Sequence, residues 1–145
     1  NPMLLNLEAI ILIQEGKKNE ATKLYKKGLT MFPSHRAFVY GLAEHYIRSS
    51  KTTIAIDLLN EYLLIYPEDP NLYELMAKAQ AGEGKVLLQH ENLAESFYYR
   101  YNIKEAITLL DLAVRAKDGN FYEKSRVESR LKELKREWAL FSKGL

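Results

Sequence analysis

The sequence predicts an all-α solenoid of about eight helices, built from stacked helical hairpins. Three observations carry that prediction. Alanine recurs with a period of thirty-four, at Ala9, Ala43 and Ala77 and again at Ala21 and Ala55. Proline recurs with the same period, at Pro33 and Pro67. Within a unit the two alanines lie twelve residues apart, and the interval returns from Ala94 to Ala106. Small residues at those places let two antiparallel helices approach closely. Proline, which lacks an N–H and clashes with the preceding turn, stops the second helix.

Composition narrows the function classes. The chain has 145 residues, no cysteine, 47% hydrophobic and 28% charged residues. That length suits one domain burying roughly two-thirds of the surface its unfolded chain exposes. Without cysteine there is no disulfide framework, cysteine zinc finger or thiol nucleophile within these residues. Twenty-one basic and nineteen acidic residues leave a charge of +2, no electrostatic reason to expect nucleic acid or anionic lipid. The longest apolar run, Ile10 to Ile13, falls far short of the ~20 residues that cross a bilayer. The chain opens on Asn1-Pro2 rather than methionine, which suggests a processed or excised piece of a longer protein.

The first two units span about residues 2–33 and 36–67. The third, about 70–101, opens with Tyr73, Met76, Ala77 and Gly84, and Gly84 serves as the inter-helix turn as Gly16 does in the first. Then the period breaks. Ala94 follows Ala77 by only half a unit, so the helix over about Val86 to Tyr99 both closes the third unit and opens an overlapping fourth, about 87–118. Its partner runs from about Lys104 to Ala116, with Ala106, Leu110 and Ala113 on the packing face. Asp118-Gly119-Asn120 makes a turn. A last helix, about residues 122–142, places Val127, Leu131, Leu134, Trp138 and Phe141 at alternating spacings of four and three. That stripe fits a helix capping the open end of a solenoid, or a coiled-coil seam. The charges between alternate in sign, as on a solvated face. No sheet is expected.

These residues resemble the tetratricopeptide repeat. The first unit supplies Ala9, Ala21, Tyr25, Gly28 and Pro33, and the second Leu42, Ala43, Tyr46, Ala55, Leu59 and Pro67. Two positions depart from the pattern: Glu8 stands where leucine is preferred and Tyr62 where a small residue is usual. The resemblance implies a domain that binds a protein or peptide on its concave face. Transferred position by position, that face holds Asn6, Tyr40, Glu44, Arg48, Glu74 and Lys78, then Glu91, Glu95, Tyr98 and Tyr99. Aromatic rings mixed with both charge signs can hold a polypeptide by stacking and charge-assisted hydrogen bonds. The same residues read equally well as packing tyrosines and solvated charges. The lysine–asparagine clamp of chaperone-binding members is missing, since Asn6 and Ile10 occupy its first two places.

Catalytic patterns fail on inspection. His90-Glu91-Asn92-Leu93-Ala94 lacks the second histidine that a zinc site needs one helical turn away. Gly82-Glu83-Gly84-Lys85 lacks the glycine spacing and the following serine or threonine of a phosphate loop. No serine sits in a nucleophile elbow. No catalytic, metal or cofactor residue is expected in this chain.

A narrower resemblance covers roughly residues 55–138. The segments Tyr66 to Asn71, Leu75 to Gln80, Ala94 to Tyr99, Ile103 to Ile107 and Arg126 to Leu134 follow one order. Their order and spacing resemble the C-terminal repeat region of bacterial envelope zinc metallopeptidases of the barrel-assembly-enhancing group. That implies an HExxH catalytic domain upstream, zinc bound only there, and a periplasmic setting. It also implies a repeat domain that packs on the protease and engages substrates or outer-membrane assembly partners. A free-standing repeat adaptor of the secretion or pilus-assembly type is the alternative. The apolar first helix (Leu4, Leu5, Leu7, Ile10 to Ile13) fits an interior repeat, which predicts an exposed apolar patch at that end or a contact covering it.

Overall fold

The computed structural model describes residues 1–144, and among them eight helices and no strand. They are α1 (Pro2–Gln14), α2 (Lys18–Met31), α3 (Ala37–Arg48), α4 (Thr52–Ile65), α5 (Pro70–Gly82), α6 (Val86–Tyr99), α7 (Ile103–Val114) and α8 (Phe121–Lys143). Each helix packs against the next in sequence, and α1, α3 and α5 also touch in series. That is the contact pattern of a stacked hairpin solenoid.

The spaced alanines do what their size requires. Ala9, Ala21, Ala43, Ala55, Ala94 and Ala106 are completely buried and Ala77 nearly so. The interior forms three clusters. Two surround α3, one toward α1 and α2 and one toward α4 and α5. The third joins α6, α7 and α8 around Leu87, Leu110, Val127 and Leu134.

The hairpin turns show where the period breaks. Gly16, Ser50 and Gly84 all have left-handed backbone, with φ of 77°, 59° and 72°. Each sits in the same pair of bonds: Gly16 N–H to Ile13 O, and Lys17 N–H to Leu12 O; Ser50 to Ile47, and Lys51 to Tyr46; Gly84 to Ala81, and Lys85 to Gln80. This is the Schellman closure, which satisfies the last carbonyls of a helix. A fourth copy stands at Tyr101, φ 65°, with Tyr101 N–H to Tyr98 O and Asn102 N–H to Phe97 O. Tyr101 follows Gly84 by half a repeat, whereas Gly16, Ser50 and Gly84 are each a whole repeat apart. The chain therefore uses the same turn before and after α6. A tyrosine 97% exposed holds a conformation that disfavours any side chain, at a cost of about 1–2 kcal/mol.

Helix starts follow local chemistry. Asn1 caps α1 and Asp69 caps α5, each followed by proline at the first helical position; Asn102 caps α7. Asn120 and Glu123 form a reciprocal capping box on α8. The 118–120 segment is more than the expected turn. The Asp118 carboxylate accepts from the backbone of Val86 at 2.8 Å and Leu87 at 3.0 Å, capping α6 from a distant part of the sequence. The α8 stripe is buried at Val127, Leu131 and Leu134, while Trp138 is half-buried and Phe141 exposed. Its first half caps α6 and α7, and its last turns reach past them.

His45 joins α3 to α2. Its ring is buried, with Nε2 3.0 Å from Thr22 Oγ1 and 3.2 Å from the Lys18 carbonyl. Burial pushes its pKa down, against the Lys18 carbonyl contact that favours the protonated ring. The folded chain thus takes up this proton less readily than the unfolded chain, whose histidines titrate near about 6.5. The sign follows: the contribution is complete above about pH 6.5 and is lost as pH falls below it. Melting temperature measured from about pH 7.5 to 5.5 is expected to fall more steeply for the native chain than for His45→Gln. Parallel curves would contradict this role.

Candidate functional site

A groove of about 480 Å³ lies between α1, α3 and α5. Its apolar surface comes from Ile10, Ala37, Gly41 and Leu75, and its polar groups from Asn6, Tyr40, Glu44, Asn71, Glu74 and Lys78. Five of the ten residues expected on a concave face are therefore together here. Arg48 lines an adjoining recess of about 270 Å³, which shares Ile10, Gly41 and Glu44 with the groove.

The groove is rigid where its tyrosine stands. The Tyr40 hydroxyl donates to Asp69, whose side chain is almost fully buried and also meets Arg36 Nη1 at 3.2 Å. Arg36 in turn lies over the Tyr66 ring, 3.6 Å from its centroid. Burial and the Asp69 contact raise the Tyr40 pKa, so the phenol stays protonated. The groove's charges each face an opposite charge, two of them on residues beside the groove. Glu44 receives Arg48 Nε at 2.9 Å and faces Lys78 Nζ at 3.6 Å. Glu74 receives Arg100 Nη2 at 3.1 Å, and the same nitrogen holds Asn71 Oδ1 at 2.9 Å.

The other four expected residues are elsewhere, which corrects the picture of one continuous concave face. Glu91 and Glu95 line a second cleft of about 390 Å³ with Asn60, Tyr73, Gln80 and Arg126. On α5, Tyr73, Met76 and Gln80 face this cleft, whereas Asn71, Glu74, Leu75 and Lys78 face the groove. At roughly 100° per residue these are opposite sides of one helix. Tyr98 and Tyr99 line neither opening: Tyr99 stacks on Tyr73 at 5.6 Å and meets Tyr98 edge-on at 5.1 Å. Burial, with the neighbouring Tyr99, pushes the Tyr73 phenol up to about 12.

Helix α8 engages three of these four residues. Arg126 makes a bidentate pair with Glu91 at 2.6 and 2.7 Å, and Arg130 one with Glu95 at 2.7 and 3.0 Å. Tyr98 donates to Glu137 at 2.8 Å, and Arg130 also lies over the Tyr98 ring. Two charges expected on a solvated face of α8, Arg126 and Arg130, instead bind it to α6. Burial alone would lower the Arg130 pKa, but Glu95 raises it well above the ordinary value, so the pair stays ionised. Sequence reasoning missed Ile10, Asn71 and Leu75 as groove residues, Arg100 as the partner of Asn71 and Glu74, and Arg126 and Arg130 as latches. A periodic signal was present for several. Leu75 follows Gly41, and Asn71 follows Ala37, by one whole repeat, while Arg126 and Arg130 follow their glutamates by one position more than that.

Nothing in either opening resembles a reaction centre. Glu91, the glutamate beside His90, is held by Arg126 rather than free to polarise water. Among the described residues no three histidine, aspartate or glutamate side chains converge as metal ligands. Among them, too, no helix is long and apolar enough to cross a membrane.

Stacked hairpins with a sculpted inner groove define an α-helical repeat protein of the interaction type. The sequence profile of the tetratricopeptide repeat family matches residues 12–79. Among characterised proteins it is similar to the β-barrel assembly-enhancing protease of Yersinia pestis, 29% identical over 137 residues. That match covers 94% of this chain and 28% of the relative, so the chain spans little more than a quarter of that protein's length. Among solved structures it is similar to MamA (41-end) from Desulfovibrio magneticus RS-1, with TM-score 0.59 and 21% identity over 94% of this chain and 77% of the other. A MamA RS-1 double mutant gives the same score and identity, covering 95% of this chain and 77% of its own. These structural likenesses concern the fold.

Proposed function

We propose that this chain is a non-catalytic binding domain, holding a polypeptide segment in the groove between α1, α3 and α5. We further propose that it is the C-terminal repeat domain of an envelope zinc peptidase. There it would position substrates or outer-membrane assembly partners beside a protease domain elsewhere in the polypeptide, in the periplasm. In this reading the chain needs no cofactor of its own, and zinc belongs to the protease. The observation that carries the reading is the groove itself: an apolar strip flanked by the amides of Asn6 and Asn71, with every charged wall residue already facing an opposite charge. Similarity to the Yersinia pestis protease over 94% of the chain supports the parent.

Such a groove favours a neutral, largely apolar segment. An added ligand charge would have to compete with a partner already in place. Photo-crosslinking groups placed at Asn6, Glu74 and Lys78 in cells are expected to trap a protein partner, and one at Glu91 is not. Ile10→Arg, which fills the groove from a partly exposed position, is expected to weaken capture at least about tenfold without changing the melting temperature. Capture is expected to vary less than about threefold between roughly 50 and 500 mM salt. Crosslinks from Glu91 alone, or unchanged capture by Ile10→Arg, would sink the groove assignment.

A further inference from the structure

Leu88, Glu91, Asn92 and Glu95, on the α6 wall of the second cleft, each stand half a repeat after Asn71, Glu74, Leu75 and Lys78 on the α5 wall of the groove. The turns after α5 and after α6 are alike, so the chain presents the same helix positions twice, once on each side of α5. The second opening is walled by α4, α5, α6 and α8. At about 390 Å³ it falls within the size range of small-molecule sites.

Most polar groups in this cleft are already engaged. Glu91 holds Arg126 and Glu95 holds Arg130, each through two bonds. The Tyr73 hydroxyl donates to the Pro67 carbonyl at 2.7 Å, and Asn92 Nδ2 donates to the Leu88 carbonyl at 2.8 Å. Gln80 is the exception. It is 8% exposed, and among the described residues its Oε1 has no partner. Its Nε2 donates to the Met76 sulfur, a weak acceptor, at 3.9 Å. Buried amides are normally paired at both ends. Leu63, Met76 and Leu88 give the same cleft an apolar lining.

We propose that this cleft binds a small neutral molecule through a primary carboxamide, which pairs with the amide of Gln80. One amide is the natural complement of another: the ligand N–H donates to Gln80 Oε1, and the ligand carbonyl accepts from Nε2. The match holds whichever way round the Gln80 amide lies, since a carboxamide both donates and accepts. Because Oε1 is buried, a rotation of the Gln80 side chain accompanies binding. The rest of the ligand lies against the apolar lining. An ionised ligand would have to compete with Arg126 or Arg130 for a glutamate already paired. The site is independent of whatever the first groove holds, and a ligand of this size leaves a crosslinker at Glu91 without a protein to trap.

Benzamide, a carboxamide on a flat apolar ring, tests this by NMR titration of the 145-residue chain. It is expected to shift the Gln80 side-chain amide signals and to reach half-saturation at roughly 1–5 mM. Benzoate, which is charged, and N,N-dimethylbenzamide, which has no N–H, are expected to bind at least about tenfold more weakly. Gln80→Leu and Gln80→Met, close to glutamine in size, are expected to abolish the benzamide response. Their melting temperatures are expected to be as high as the native one or higher, because the orphaned amide is gone. No response to benzamide, or shifts confined to groove residues such as Tyr40 and Lys78, would overturn the proposal. So would equal binding of either analogue, or a benzamide response kept by both variants. A melting temperature lowered by more than about 5 °C in both variants would also overturn it, since the amide would then serve the chain's own packing.

Discussion

Phe38→Ala is expected to remove about 3–5 kcal/mol from the stability of the chain, a large share of what a domain this size possesses. Phe38 is fully buried at the contact of α2 and α3, stacked near Phe32 and fitted against Gly28. No nearby side chain can fill the cavity, because the opposing position has none. The reverse change makes the same argument from the other side. A Cβ on Gly28 would lie 2.4 Å from one Phe38 ring carbon and 2.5 Å from another, and the buried ring has nowhere to retreat. Gly28→Ala is expected to cost about 1–3 kcal/mol by overpacking. The two positions share one contact, so their effects do not add. Gly28→Ala combined with Phe38→Leu is expected to be more stable than the sum of the single changes implies. Urea denaturation of the four proteins measures this, and strict additivity would show that the two residues are not fitted to each other.

Arg130→Ala is expected to cost about 2–3 kcal/mol and to release α8 before the rest of the chain. The guanidinium is only 19% exposed and answers two carboxylates, Glu95 and Glu133, while lying over Tyr98. Removing it leaves Glu95, 15% exposed, without a cation. The neighbouring pair is a useful contrast. Arg126 has the shorter contacts to its glutamate but is 53% exposed, and water and salt screen it. Arg126→Ala also leaves a poorly exposed carboxylate, Glu91 at 13%, but removes a screened and singly paired guanidinium, and is expected to cost about 1 kcal/mol, less than Arg130→Ala. Hydrogen exchange should show early opening confined to α8 in Arg130→Ala and nearly native protection in Arg126→Ala. Equal loss in both would mean that burial does not set the strength of these latches. Arg130→Lys should recover little, because an ammonium cannot match the two-pronged geometry.

The fold was legible because its signal is geometric and repeated. Ala9, Ala43 and Ala77 announce one helix contact three times, and a small residue is required wherever helix axes come close. The bounds of α6 were readable for the same reason, as was the half-unit step from Ala77 to Ala94. The site was legible only up to that step. Asn6, Tyr40, Glu44, Glu74 and Lys78 share a groove because whole units separate their helices. Glu91 and Glu95 were placed on the same face by extending the family's positions across a half unit. Their helix lies on the far side of α5, where Arg126 and Arg130 meet them. Pairings of that kind leave little local trace. Alternating charges along α8 look the same whether they face water or another helix.

The left-handed turn at Tyr101 has a consequence beyond its own strain. A solenoid that advances by whole units keeps one wall inward throughout, like a corridor with doors on a single side. Repeating the turn after one helix instead of two moves the doors to the opposite wall. A body seated against α3 is thus screened by α5 from one seated against α6 and α8. The fold is a partition as much as a cradle, with α5 as the wall between the groove and the cleft.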